Sequence, residues 1–217
     1  MSLELFAHPF SSYCQKVLVA LWENDTPFVY RHLEHDGVAE QRAALWPFGR
    51  FPVLVENGAI IAESTIIIEH LEIYHPGAVT LLPADRINAF EVRFMDRFFD
   101  NFVMSEMQRP VAEAIRTHGG RLEEARTRAA KALETAYGWL ETRLAGRVWA
   151  AGDSFSMADC AAAPALFYAD WVHPIGPQFP VVAAYRARLL ERPSMARAVE
   201  EGRPYRHYFP LGAPERD

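Results

Sequence analysis

The chain has 217 residues, half of them hydrophobic and 23% charged, with 22 Lys and Arg against 28 Asp and Glu for a net charge of −6. This is ordinary globular usage for one large domain or two small ones, and it argues against disorder, general nucleic-acid affinity and a membrane-surface role. The apolar run 158–172 is broken by Asp159, Pro164 and Asp170, so no transmembrane span is expected, and no basic-then-apolar signal pattern precedes Glu4. Two cysteines, Cys14 and Cys160, cannot build a disulfide framework, so a cytoplasmic setting is expected.

The charge is uneven. Residues 1–76 hold 4 basic and 10 acidic side chains, while residues 77–217 hold 18 of each. β-branched residues concentrate in the first part and alanine in the second, which predicts a strand-containing domain over 1–76, a linker over 77–86 and a helical domain over 87–217.

In chain order, Leu3 to Ala7 alternate as a half-buried strand, and His8-Pro9-Phe10-Ser11-Ser12 break it. Val17, Leu18, Leu21 and Trp22 recur at helical spacing, predicting a helix over 12–23 that Asn24-Asp25-Thr26-Pro27 ends. Phe28-Val29-Tyr30 read as a second strand and 39–46 as a short helix. Asn57-Gly58 between residues 52–56 and 59–61 is a strong hairpin signal. A helix follows from Glu63-Ser64 to Tyr74. This order predicts a mixed four-stranded sheet. Beyond the linker, helices are expected over 87–116, 121–145, 157–171, 181–191 and 194–201, separated by Gly119-Gly120, Gly146 and 174–180. The aromatic, proline-rich tail after Gly202 is either a packed flap or a frayed end.

Ser11-Ser12-Tyr13-Cys14 between strand and helix resembles a thioredoxin-like Cys-x-x-Cys site with serine in the first cysteine's place. A helix N-terminus stabilises a thiolate, and a serine there can hold the thiolate of another molecule. Residues 47–54, Pro-Phe-Gly-Arg-Phe-Pro-Val-Leu, resemble the proline loop of glutathione transferases. Glu63-Ser64 matches that family's glutathione-binding pair, and Phe155-Ser156-Met157-Ala158-Asp159 resembles its structural capping motif. The chain is therefore identified, along nearly its whole length, as similar to a serine-type cytosolic glutathione S-transferase of the bacterial kind, with the subfamily unassigned.

The resemblance implies a thioredoxin-like α/β domain joined to an all-α bundle, a homodimer, and glutathione as co-substrate with no metal. Ser11 is the implied catalytic residue, hydrogen-bonding the glutathione sulfur, with Ser12 in reserve; both could also be plain helix caps. Phe51, Pro52 and Val53 would bind the cysteinyl part through a cis peptide at Pro52 and the exposed Val53 backbone. Ser64 would receive the γ-glutamyl carboxylate and Glu63 its ammonium. Cys14 reads as a small buried residue, with thiol chemistry as the alternative. Asp159 is structural, as half of a capping box with Ser156.

Phe90, Phe94, Phe98 and Phe102, with Phe99, Met104 and Met107, form a stripe expected to be core or subunit contact. Part of it would line the second-substrate pocket, for which Phe10, Met104 and Gln108 are the candidates. The eight histidines show no paired metal spacing. The expected reaction is thiolate attack on a small hydrophobic electrophile. Glutathione-dependent isomerisation of maleyl-type compounds, disulfide or peroxide reduction, and a non-catalytic adaptor on the same fold remain alternatives. Because the acidic excess lies in the part expected to bind an anion, binding must rest on local donors: helix N-termini, the Val53 backbone, and the Ser11 and Ser64 hydroxyls.

Overall fold

The computed structural model describes residues 3–117 and 120–217, so Gly119 of the expected Gly119-Gly120 break lies outside the described residues. Strands β1 (Leu3–Ala7), β2 (Val29–His32), β3 (Val53–Glu56) and β4 (Ala59–Ala62) alternate with helices α1 (Ser12–Glu23), α2 (Val38–Leu45) and α3 (Ser64–Tyr74). The sheet order is β2-β1-β3-β4. β1 runs parallel to β2 and antiparallel to β3, which pairs antiparallel with β4, so the sheet is mixed as expected.

The two-residue period of β1 and β3 assigns two cores. Leu3, Leu5, Ala7 and Leu54 join α1 and α3 in the main core, while Phe6 and Val53 face Val38 of α2. α1 ends where expected, and the Asn24 side chain then grips the linker by donating to the Val79 carbonyl at 2.9 Å and accepting its N–H at 2.7 Å. A Cβ on Gly77 would fall 2.5 Å or less from Asn24 side-chain atoms, so glycine is required at that crossing.

Among the described residues, the regular elements of the second half include the helices α4 (Arg86–Phe98), α5 (Ser105–Thr117), α6 (Leu122–Arg143), α7 (Met157–Val172), α8 (Pro180–Leu190) and α9 (Pro193–Gly202). The single helix expected over 87–116 is interrupted by a π-helical segment, Phe99–Met104. Such segments insert a wider turn and rotate the side chains that follow. α7 is buried from Met157 to Trp171, packs against α1 and α4, and forms the centre of the molecule. Among the described residues, no helix is long and apolar enough to cross a membrane.

Ser156 and Asp159 form the expected capping box at the start of α7. The tail is a packed flap. A 3₁₀ helix, Arg203–Tyr208, leads to the buried Phe209, and Arg216 pairs with Asp170 of α7.

Candidate functional site

Ser11 stands where β1 gives way to α1. Its backbone is extended and its hydroxyl accepts the Cys14 N–H at 3.4 Å, so it caps the helix. The hydroxyl also makes a side-chain hydrogen bond to the Cys14 sulfur, so both of these contacts lie within the first turn of α1. The loop before it is held from behind. Fully buried Gln15 donates to the Pro9 carbonyl at 2.8 Å, and Tyr168 of α7 donates to the Phe10 carbonyl at 3.1 Å. The helical half thereby positions a loop of the sheet half.

Cys14 is inaccessible, and burial pushes its thiol up to about 12. Burial and the raised pKa are those of a protonated core thiol.

The Phe51–Pro52 peptide is cis. Val53 is fully buried, and its register places it opposite Phe6 on one side and Ala62 on the other. Strand neighbours on both sides leave the Val53 backbone closed to an added strand, contrary to the expectation. Phe51 lies just before the ladder, is 37% exposed, and presents the open part of the loop.

Glu63 and Ser64 follow directly on the Ala62 that faces Val53. Glu63 is exposed and sits at a φ of 72°, and no side chain caps α3. A non-glycine residue held there costs roughly 1–3 kcal/mol, a strain that concentrates at functional positions. Ser64 is buried beside Thr65, whose hydroxyl accepts from Lys16 Nζ at 2.9 Å. Lys16 Nζ also reaches Asp96 at 2.6 Å and Asp100 at 2.8 Å. The π segment carries Asp100, so the widened turn brings both carboxylates onto one lysine and bolts α1 and α3 to α4.

Two cavities meet at Ser11, Phe51 and Gln108. One, about 430 Å³, is mainly apolar, with Phe10, Met107, Val111, Ile115, Tyr168 and Phe209 in its wall. The other, about 810 Å³, is basic: Arg50, Arg109, Arg116, Arg121 and Arg128 line it together with Glu113 and Glu124. These arginines, four of them from the helical half, are donors that the overall charge count did not reveal.

Phe10 and Gln108 line the apolar cavity. So does Ser12, whose hydroxyl accepts from Gln108 at 3.2 Å. Met104 does not, because the π segment turns it into the core, where it is fully buried; Met107 takes the wall position instead. Pro52, Val53, Glu63 and Ser64 line neither cavity. They flank the Phe51 loop from the sheet side.

Sequence reasoning missed His8, Tyr168, Tyr208, Phe209 and Pro210 as wall residues. The aromatic tail was the available signal for the last three. The Tyr205 hydroxyl lies 3.2 Å from His32 Nε2, and the Tyr205 ring lies edge-on to His8 at 4.7 Å, which seats the tail on the sheet domain.

A mixed four-stranded sheet domain joined to a helical domain, with a serine-capped helix and a cis-proline loop where the two cavities meet, defines a class of two-domain proteins. Residues 5–78 match the family description "Glutathione S-transferase, N-terminal domain", and residues 123–188 match "Glutathione S-transferase, C-terminal domain". The chain belongs to the glutathione S-transferase family. It is 32% identical to "FtsZ-localized protein A" of Caulobacter vibrioides, over 79% of each chain. It is 30% identical to "Glutathione S-transferase-like protein LUC7" of a Fusarium species, over 75% of each. A glutathione S-transferase structure from Methylobacillus flagellatus, with GSH bound, superposes with a TM-score of 0.77 at 25% identity, covering 91% of this chain and 98% of that one.

Proposed function

We propose that the chain is a cytoplasmic glutathione transferase. In this reading residues 1–76 bind glutathione, 77–86 form a linker, and 87–217 supply the second-substrate wall. The observation that carries it is Ser11: a hydroxyl at the N-terminus of α1 on the shared wall of a basic and an apolar cavity.

The residues fit the ligand. Ser11 donates to the sulfur and, with the positive end of α1, holds it as thiolate. The Phe51 backbone pairs with the cysteinyl amide. The uncapped N–H groups of α3 and the Ser64 hydroxyl receive the γ-glutamyl carboxylate, and Glu63 faces the ammonium. Arg50 supplies charge for the remaining carboxylate. Phe10, Met107 and Val111 hold a small hydrophobic electrophile beside Ser11. The rate advantage comes from thiolate stabilisation and proximity, with no covalent intermediate on the protein.

Calorimetric titration with glutathione and turnover of an aryl halide test this. Saturable binding and conjugation are expected. Ser64→Ala should raise KM for glutathione about tenfold, the worth of one hydrogen bond to a charged group, with kcat changed far less. Binding with turnover of maleyl compounds alone assigns the isomerase reaction. No binding assigns a non-catalytic adaptor, the direction in which the relative named for FtsZ localisation points.

The same reading includes a homodimer. Ile87 and Phe90 of α4 are 79% and 71% exposed, Phe94 continues their row, and the Arg93–Glu69 ion pair sets this face beside Ile66 and Ile73 of α3. A contiguous apolar surface of this kind marks an interface. Sedimentation should give a dimer for the wild type and a monomer for Phe90→Glu; a wild-type monomer overturns the assignment.

A further inference from the structure

At the far end of β3 from the proposed glutathione site, side chains from β3 and from the C-terminal part of α3 converge. Glu56 is the last residue of β3, His70 lies in α3, and His75 caps that helix. Glu56 Oε2 is 2.7 Å from His70 Nε2, and Oε1 is 2.7 Å from His75 Nε2. One donor atom from each residue lies within 4.8 Å of the other two. The Glu56, His70 and His75 side chains are only 12%, 17% and 26% exposed.

The company Glu56 keeps is unusual for this molecule. Glu23 faces Arg192, Asp96 and Asp100 face Lys16 and Arg97, and Asp170 faces Arg186 and Arg216. Glu56 is mostly shielded from solvent too, yet among the described residues it has no lysine or arginine in ion-pair contact, only two imidazoles. The donors are held by regular structure: α3 packs on β3 and β4, and the His70 ring lies against Tyr74 at 4.7 Å.

We propose that Glu56, His70 and His75 bind one zinc ion per chain, with a fourth position left to water. Two imidazole nitrogens and one carboxylate are a zinc donor set, whereas calcium and magnesium require many oxygen ligands. Metal–ligand bonds of about 2.0–2.2 Å give donor–donor edges of roughly 3.3–3.5 Å. The two 2.7 Å contacts therefore need to open by less than about 1 Å to admit the ion. Bound there, zinc ties the end of α3 to the β3–β4 hairpin. The site is independent of the glutathione assignment. Histidine spacing failed to reveal it because His70 and His75 are five residues apart and Glu56 comes from a strand.

Chelator-stripped full-length protein is titrated with zinc chloride by calorimetry and with cobalt(II) by visible absorption. One saturable site per chain and an intense four-coordinate cobalt spectrum are expected. His75→Gln and Glu56→Gln should each weaken uptake at least about tenfold, because each removes a ligand. Glutamine at position 75 keeps an N–H toward Glu56, so the metal-free variants should match wild type in circular dichroism and melting temperature. His173→Gln, which removes a histidine paired with the single carboxylate Glu134, should bind zinc as wild type does. The proposal is overturned by absence of saturable uptake in folded wild type, by uptake unchanged in His75→Gln and Glu56→Gln, or by a six-coordinate cobalt spectrum.

Discussion

Replacing Ser11 by alanine should lower kcat/KM near pH 6.5 by about 10- to 100-fold while leaving the protein folded. The estimate rests on one hydrogen bond to a charged acceptor, worth about 1.5–3 kcal/mol. Removing it raises the pKa of the bound thiol by about one to two units. The pH profile of kcat/KM should therefore move upward by that amount, and activity should recover at alkaline pH, where solvent ionises the thiol without help. A purely structural defect would not recover. Loss of the cap itself costs only about 1 kcal/mol of stability.

Ser11→Thr should restore most of the activity. Ser12→Ala should have a weaker effect, because Ser12 lines the apolar cavity alone and its hydroxyl already accepts from Gln108. Cys14→Ala should stay near wild type, given a thiol pushed up to about 12 by burial. An unchanged profile in Ser11→Ala, or a collapse in Cys14→Ala, reverses the assignment of the catalytic hydroxyl.

The largest effect on stability is expected at Asp159. Its Oδ1 accepts from the Ala150 N–H at 2.9 Å and the Tyr185 hydroxyl at 2.5 Å, and its Oδ2 from the Ser156 N–H at 2.9 Å and the Ser156 hydroxyl at 3.2 Å. Asp159→Ala leaves these donors buried without an acceptor. Such groups cost about 1–3 kcal/mol each and do not add fully, so a loss of about 3–5 kcal/mol is expected. Melting should fall by about 10 °C.

Burial also raises the Asp159 carboxyl from 3.8 to about 6. The folded state then holds this proton more tightly than the unfolded state. The group's contribution is fully present below about pH 4 and is lost as pH rises to about 6. Asp159→Ala should thus be more damaging at pH 5 than at pH 8 in urea unfolding. A loss under 1 kcal/mol, or the opposite pH order, would remove Asp159 as the anchor of α7.

These two residues illustrate what is readable locally. Ser11 meets Cys14 and Asp159 meets Ser156 three residues away along the chain, so capping patterns expose them, whereas the bonds of Asp159 to Ala150 and Tyr185 come from the tertiary fold. The Asn57-Gly58 hairpin and the breaks at 8–12 and 24–27 are local in the same way, and the strand and helix order followed from them. Glu63 shows the limit. Its place at the start of α3 was legible, but its left-handed backbone was not, since sequence offers no glycine to flag it.

Sequence alone determined the order of strands and helices, the mixed sheet followed by helices, and the residues that stand at the starts of α1, α3 and α7, because turn chemistry, capping and periodicity operate over a few neighbouring residues. Tertiary structure decided what those positions face. It closed the Val53 backbone between two strands and opened Phe51, turned Met104 inward through a π segment, and folded the tail into a cavity wall. It also gathered arginines around an acidic domain's site and brought Glu56 to His70 and His75. Each of these depends on contacts between residues far apart in the chain, and such contacts leave no periodic trace in composition or spacing.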